Sequence, residues 1–226
     1  MDKTYCYGPD YTVLKNKHGI RDDEALQQAE ALITRQRMRQ PIDDAFEMTA
    51  RSYQNLHNHI FQDVYERAGE YRSTELWKGM SGFEHPHEIA PRMEQMFGEN
   101  AQLPTASFDN SHEFAREAAK LMHGLNDIHA FREGNGRTQR LFLERLAMQS
   151  GFRIDEVNID RKLWMEGSIQ SFAQGAKSDH PVMTQCITTA IDLSRPVDIG
   201  PEFDHGHDGD GHGHSNDGHD GGRGGR

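Results

Sequence analysis

A chain of 226 residues with 25 lysines and arginines against 36 aspartates and glutamates carries a formal net charge of −11. That length suits one domain plus extras, and the charge repels nucleic acid over the surface as a whole, so no direct nucleic-acid partner is expected. Cys6 and Cys186 form neither a CxxC pair nor a disulfide scaffold, the N-terminus lacks an apolar signal segment, and no run approaches membrane-spanning length, so a soluble cytoplasmic protein is the expectation.

Residues 1–21 are aromatic and polar, with Tyr5, Tyr7 and Tyr11 around a Gly8-Pro9 turn, and read as an extended anchoring arm without chemistry. From Asp22 to Gln40, Leu26, Ala29, Leu32 and Ile33 recur at helical spacing. Asp22 and Asp23 suit the helix start, while Arg35, Arg37 and Arg39 suit its end and its polar face. Pro41 breaks the chain before a second helix marked by Phe46, Thr49, Tyr53, Leu56, Ile60 and Val64. On it His57 and His59, two apart, point to different sides and do not share a metal. Residues 69–84 lose the helical period, and Tyr, Thr and Trp between glycines suit a short β-hairpin. A helix from His85-Pro86 turns Ile89, Met93, Met96 and Phe97 inward, with His85 and His87 as loop and cap residues. After a Pro-containing linker, Asp109, Asn110 or Ser111 caps the next helix, whose apolar face is Phe114, Ala118, Leu121, Leu125 and Ile128.

His129 to Arg140 follows: His-Ala-Phe-Arg-Glu-Gly-Asn-Gly-Arg-Thr-Gln-Arg. A further apolar run, Leu141, Phe142, Leu143, Leu146 and Ala147, makes this a helix, a polar loop and a helix opened by that loop. A helix start with glycine beside it is an anion site, because its N–H groups are free and its dipole end is positive. Arg137 and Arg140 share a helix face there, Glu133 can hold a divalent cation beside phosphates, and His129 can take a proton from a hydroxyl. Beyond it, Gly151 suits a helix C-terminus and Asp160 caps a helix through Leu163, Trp164, Ile169, Phe172 and Ala176. A last helix has Pro181 in its first turn and Met183, Cys186, Ile187, Ala190 and Ile191 inward, and Arg195-Pro196 ends the fold. The expected organisation is an arm over 1–21, an all-α helical bundle over 22–198 and a tail over 199–226. The tail is Asp, Gly and His with almost no apolar residues, a composition expected to stay disordered. Its His205, His207, His212, His214 and His219 offer weak nickel, zinc or copper ligands.

The stretch at 129–140 resembles the Fic family signature His-Pro-Phe-x-Asp/Glu-Gly-Asn-Gly-Arg-x-x-Arg. His129, Phe131, Glu133, Gly134, Asn135, Gly136, Arg137 and Arg140 fall in register, and Ala130 stands where proline is usual. Tyr5-Cys6-Tyr7 with Val13-Leu14-Lys15-Asn16-Lys17 is also similar to the opening of cell-filamentation-type Fic proteins. The resemblance implies a Fic-type bundle with a hairpin flap, Trp77, Lys78 and Gly79 at its tip aligning the target. It implies AMP transfer from ATP to a Tyr, Ser or Thr hydroxyl of a target protein, with Mg2+. In that reading His129 is the base and Glu133 the metal ligand. Asn135 and the N–H groups around Gly134 and Gly136 cradle the α-phosphate, Arg137 and Arg140 hold the β- and γ-phosphates, and Phe131 anchors the loop. Many relatives carry an inhibitory Ser/Thr-x-x-x-Glu-Gly/Asn helix. Neither Glu99-Asn100 nor Glu166-Gly167 fits it, which points to a toxin-like protein whose separate antitoxin sets a glutamate against Arg140. The alternatives are a Doc-type protein kinase (which has lysine where Gly136 stands), a Fic enzyme with another nucleotide or phosphocholine donor, and a non-catalytic metal-binding helical scaffold.

Overall fold

Leu26, Glu30 and Thr34, each one helical turn from the next, form the buried stripe of the first helix, α1 (Asp23–Met38). In the computed structural model the residues described are 2–42, 45–78, 81–174 and 179–194. Gly79, Ala176, the Arg195-Pro196 terminus and the whole tail with its histidines lie outside them. The Asp22 side chain accepts from the Ala25 N–H and so caps α1, with Arg35 and Arg37 in the last turn where the dipole favours cations. Leu32, expected inward, is 68% exposed, because only a narrow face of α1 meets its neighbour. The inward face carries a carboxylate and a hydroxyl that an apolar pattern does not reveal.

Helix α2 (Ala50–Phe61) is capped by Thr49 and buries Tyr53, Leu56, His57, Ile60 and Phe61. It is shorter than the sequence pattern suggests: Phe46 precedes it and Val64 and Tyr65 follow it, although all three still pack inward. Strands β1 (Trp77–Lys78) and β2 (Ser81–Gly82) pair antiparallel, Trp77 opposite Gly82. Helix α3 (Pro86–Glu99) turns Ile89, Met93, Met96 and Phe97 to the core.

Helix α4 (Ser111–Ile128), capped by Asn110, is amphipathic: a broad face from Phe114 to Ile128 is buried, while Arg116 and Lys120 keep a narrow polar stripe exposed. It packs against α3, α5 (Asn135–Gln149), α6 (Arg161–Gln174) and α7 (Pro181–Ser194). Gly151, at φ +81°, ends α5 as the C′ residue. The Asp160 carboxylate accepts from the N–H groups of Lys162 and Leu163 at the start of α6. Trp164 is buried on α6, whereas Ile169 is 51% exposed, a second apolar residue facing away from the core. The fold is therefore helical, with the 129–134 loop held between the end of α4 and the start of α5. No helix among the described residues is long and apolar enough to cross a membrane.

The N-terminal segment does more than lie extended. It doubles back, with Cys6 bridged to Leu14, the Tyr7 N–H on the Val13 carbonyl at 2.9 Å and the Lys15 N–H on the Tyr5 carbonyl at 2.7 Å. The Asp2 carboxylate accepts from Arg132 Nε at 2.7 Å, so this arm is tied to the loop that carries the motif.

Candidate active site

The loop between α4 and α5 is built from its own side chains. Asn135 is 4% exposed; its amide oxygen accepts from the Phe131 N–H at 3.0 Å and its amide nitrogen donates to the Phe131 carbonyl at 2.7 Å. The Asn135 side chain is thus turned into the loop, a structural task beside the one expected of it from the sequence. An amide can serve both backbone groups of one residue, which closes the loop into a fixed ring. Phe131 is fully buried and meets Tyr53, at 5.6 Å between ring centroids, and His57, at 3.8 Å.

His57 is the support the sequence hid. It is buried and sandwiched between Phe61 and Phe131. Its Nδ1 accepts from the Gly69 N–H at 2.8 Å, which leaves Nε2 to donate to the Glu133 carbonyl at 3.0 Å. Burial pulls its pKa down to about 4, opposed by the bond to Glu133 and reinforced by the Arg137 charge. His59, on the other side of α2, meets the Arg37 carbonyl instead. The folded pKa of His57 lies below the unfolded value near 6.5, so its contribution to stability is full above that pH. It is lost as pH falls toward 4, by about 2 kcal/mol at roughly pH 5. Denaturant titrations at about pH 7.5 and 5 should therefore show a fall in wild type that shrinks in His57→Asn; an equal fall in both would contradict this.

Gly134 sits at φ +82°, and a Cβ there would lie 2.2 Å from the Phe61 ring. Glycine is required by both facts at once. From Asn135 onward the chain is helical, and the N–H groups of Asn135 and Gly136 have no carbonyl one turn back, which leaves them to face an anion. Glu133 is exposed; its Oε1 accepts from the Gly134 N–H at 2.9 Å and lies 3.5 Å from Arg137.

These residues open onto a cleft of about 930 Å3 whose lining includes Glu133, Gly134, Gly136, Arg137, Arg140 and Glu156. Arg35 of α1 and Arg39, the C-cap that follows it, also line the cleft, rather than forming only a solvated helix face. Arg137 is gripped from α1, by the Glu30 carboxylate and by Thr34 Oγ1 at 3.2 Å, with the Phe61 ring beneath its guanidinium at 4.8 Å. Tyr65 donates to the same Glu30 carboxylate. Arg140 Nε lies 3.4 Å from Glu156. Neither Glu30 nor Glu156 was singled out in the sequence, since both counter-charges come from elements distant from the motif.

His129 is the C-cap of α4 in the left-handed conformation, φ 49° and ψ 59°. Its ring is stacked on Phe83, centroids 4.0 Å apart and planes within 12°. It is not among the residues lining the cleft beside Arg137 and Arg140. Of the three residues expected at the flap tip, Trp77 and Lys78 form β1, and Gly79 lies outside the described residues.

The Fic/DOC family model matches residues 47–147, the span from just before α2 through most of α5. The chain is 37% identical over 174 residues to a probable protein adenylyltransferase of Sinorhizobium fredii, covering 76% of this chain and 90% of that protein. This chain belongs to the Fic/DOC family. It is also 33% identical over 198 residues to the protein adenylyltransferase VbhT of Bartonella schoenbuchensis, spanning 84% of this chain but 40% of VbhT. The solved N-terminal Fic domain of a cell filamentation protein from Bartonella quintana, with bound ADP, superposes with a TM-score of 0.72 at 25% identity. That overlap covers 85% of this chain and 94% of the solved one. In a Fic domain, then, the ring closed by Asn135, the glycine at Gly134 and the arginines on α5 are the family motif held by this chain's own α1 and α2.

Proposed function

We propose that this chain is a protein adenylyltransferase that moves AMP from ATP to a Tyr, Ser or Thr hydroxyl of a target protein. The observation that carries this reading is the convergence at one helix start of free N–H groups, two arginines and a carboxylate, with a histidine at the loop's other end. The target hydroxyl oxygen attacks the α-phosphorus, its proton passes to the His129 imidazole, and the bond to the β-phosphate oxygen breaks, releasing pyrophosphate. The N–H groups of Asn135 and Gly136 hold the charge that builds on the α-phosphate oxygens. Arg137, oriented by Glu30 and Thr34, and Arg140 hold the β- and γ-phosphates. Positioning and charge supply most of the rate in such transfers.

Glu133 fits a magnesium ligand: it is a hard oxygen donor, exposed beside the phosphate cleft, with both of its hydrogen bonds on Oε1. Bound there, the ion would offset the phosphate charge. Trp77, 65% exposed, and Lys78 would align the target's backbone along β1. The compartment is the cytoplasm, where ATP is supplied. Control would come from a small antitoxin-like protein that sets a glutamate on Arg140, displacing or joining Glu156 there. A purified chain that is fully inhibited alone, and released by deleting an internal segment, would contradict such a partner.

Incubation with MgATP and a cytoplasmic lysate should leave an adduct of AMP mass on a hydroxyl residue, located by mass spectrometry; no adduct at any protein ratio counts against the proposal. The close approach of phosphate can be tested at Gly136. A Cβ there would meet only Arg140 Nη1, at 3.6 Å, an ordinary contact. Gly136→Ala should keep the wild-type melting temperature and lose about tenfold or more in ATP affinity, near 1.4 kcal/mol. Unchanged affinity by calorimetry would place the nucleotide elsewhere.

A further inference from the structure

Arg72 is among the largest fully buried side chains, at 2% exposure. It precedes the strand pair and belongs to neither the motif nor the phosphate cleft. All four acceptors of its guanidinium are backbone carbonyls. Nε donates to His129 at 2.8 Å, Nη1 to Thr74 at 2.8 Å, and Nη2 to Ile128 at 3.2 Å and to Glu84. Its own N–H donates to the Ala130 carbonyl at 2.9 Å. Ile128 and His129 are at the end of α4, where carbonyls lack a helical partner and a cation is favoured. Thr74 and Glu84 lie just outside β1 and β2. Between Glu84 and β2 is Phe83, whose N–H bonds the Leu76 carbonyl at 3.0 Å and whose ring covers the His129 imidazole.

We infer that Arg72 is the positioning residue that makes His129 and the strand pair one unit. Nε and Nη2 hold the end of α4, through the His129 and Ile128 carbonyls, and so fix the left-handed backbone at His129. Nη1 and the same Nη2 hold the two legs of the strand pair, at Thr74 and Glu84, and so set Phe83 against the imidazole face. A base and a hydroxyl-presenting segment held by the same planar group keep one mutual geometry, which a flexible ammonium cannot impose on divergent carbonyls. The inference rests on the reading of His129 as the base, and goes beyond it by naming what aims that base at the target.

Arg72→Lys separates the two ideas. Transfer to the target should fall about 10- to 100-fold in kcat, the scale of a misplaced reacting group. ATP affinity should stay within about twofold, because the α5 start and its arginines are untouched. The independent readout is the NMR signal of the His129 imidazole in the full chain without nucleotide. Its protons feel the ring current of Phe83, so in Arg72→Lys they should move toward their positions in Phe83→Leu. Imidazole shifts that stay at wild-type values, or transfer that stays at the wild-type rate, would overturn the inference. So would a variant whose melting temperature, ATP affinity and transfer all fall together, the mark of a merely structural residue. If wild type itself moved no AMP, the adenylyltransferase reading would fail, while the NMR comparison would still decide the role of Arg72.

Discussion

Replacing His129 by alanine is expected to lower AMP transfer by roughly 10²–10⁴-fold and leave ATP binding in place. The residue is placed for this separation. Its backbone is held by Arg72 through a carbonyl that alanine retains, and its ring is stacked on Phe83. The loop is closed by Asn135 on Phe131 and supported by His57 on Glu133, and neither arrangement involves the imidazole. The variant should therefore fold, bind ATP like wild type by calorimetry, and fail in single-turnover transfer. Glu133→Ala should behave differently, weakening Mg2+-dependent ATP binding and transfer together. A His129→Ala protein that transfers at the wild-type rate would remove the base from the mechanism.

The second large effect is structural and falls on Gly134→Ala. An added Cβ would stand 2.2 Å from Phe61 Cζ and 2.3 Å from Cε2. Phe61 is fully buried, so its ring has no open space to swing into. The left-handed φ adds roughly 1–2 kcal/mol for a residue with a Cβ, and overpacking a buried ring adds roughly 1–3 kcal/mol. A loss of about 2–5 kcal/mol should lower the melting temperature by roughly 4–20 °C for a chain of this size. Displacing Phe61 also moves the ring beneath Arg137, so ATP affinity should fall too. In Gly134→Ala with Phe61→Leu the packing part of the loss should be relieved and the backbone part kept. A single variant that melts like wild type would mean the loop has another conformation available.

The contrast between these positions explains what could be read from the sequence. The bundle was legible because Phe114 to Ile128 and Pro181 to Ser194 repeat apolar residues at helical spacing, and because Gly151 and Asp160 are cap residues with one obvious use, while the α4 cap was narrowed to Asp109, Asn110 or Ser111 and proved to be Asn110. The motif was legible because its chemistry is contiguous. Glu30, Thr34, His57, Arg72 and Glu156 were not, since polar residues on otherwise apolar faces, or in turns, acquire meaning only once distant elements are packed. Leu32 and Ile169 misled for the opposite reason: an apolar residue at helical spacing need not have anything to cover it. The bonds from Asn135 to Phe131 were not legible either, because register locates a side chain along the chain but not the direction it turns.

AMP transfer and phosphoryl transfer differ in which phosphorus of ATP is attacked. Wild-type protein with a cognate target and ATP labelled on the α- or the γ-phosphate decides it. The target should acquire the α-label and none of the γ-label, with pyrophosphate released. Transfer of γ-label, with the α-label remaining on ADP, would contradict it and make this chain a protein kinase.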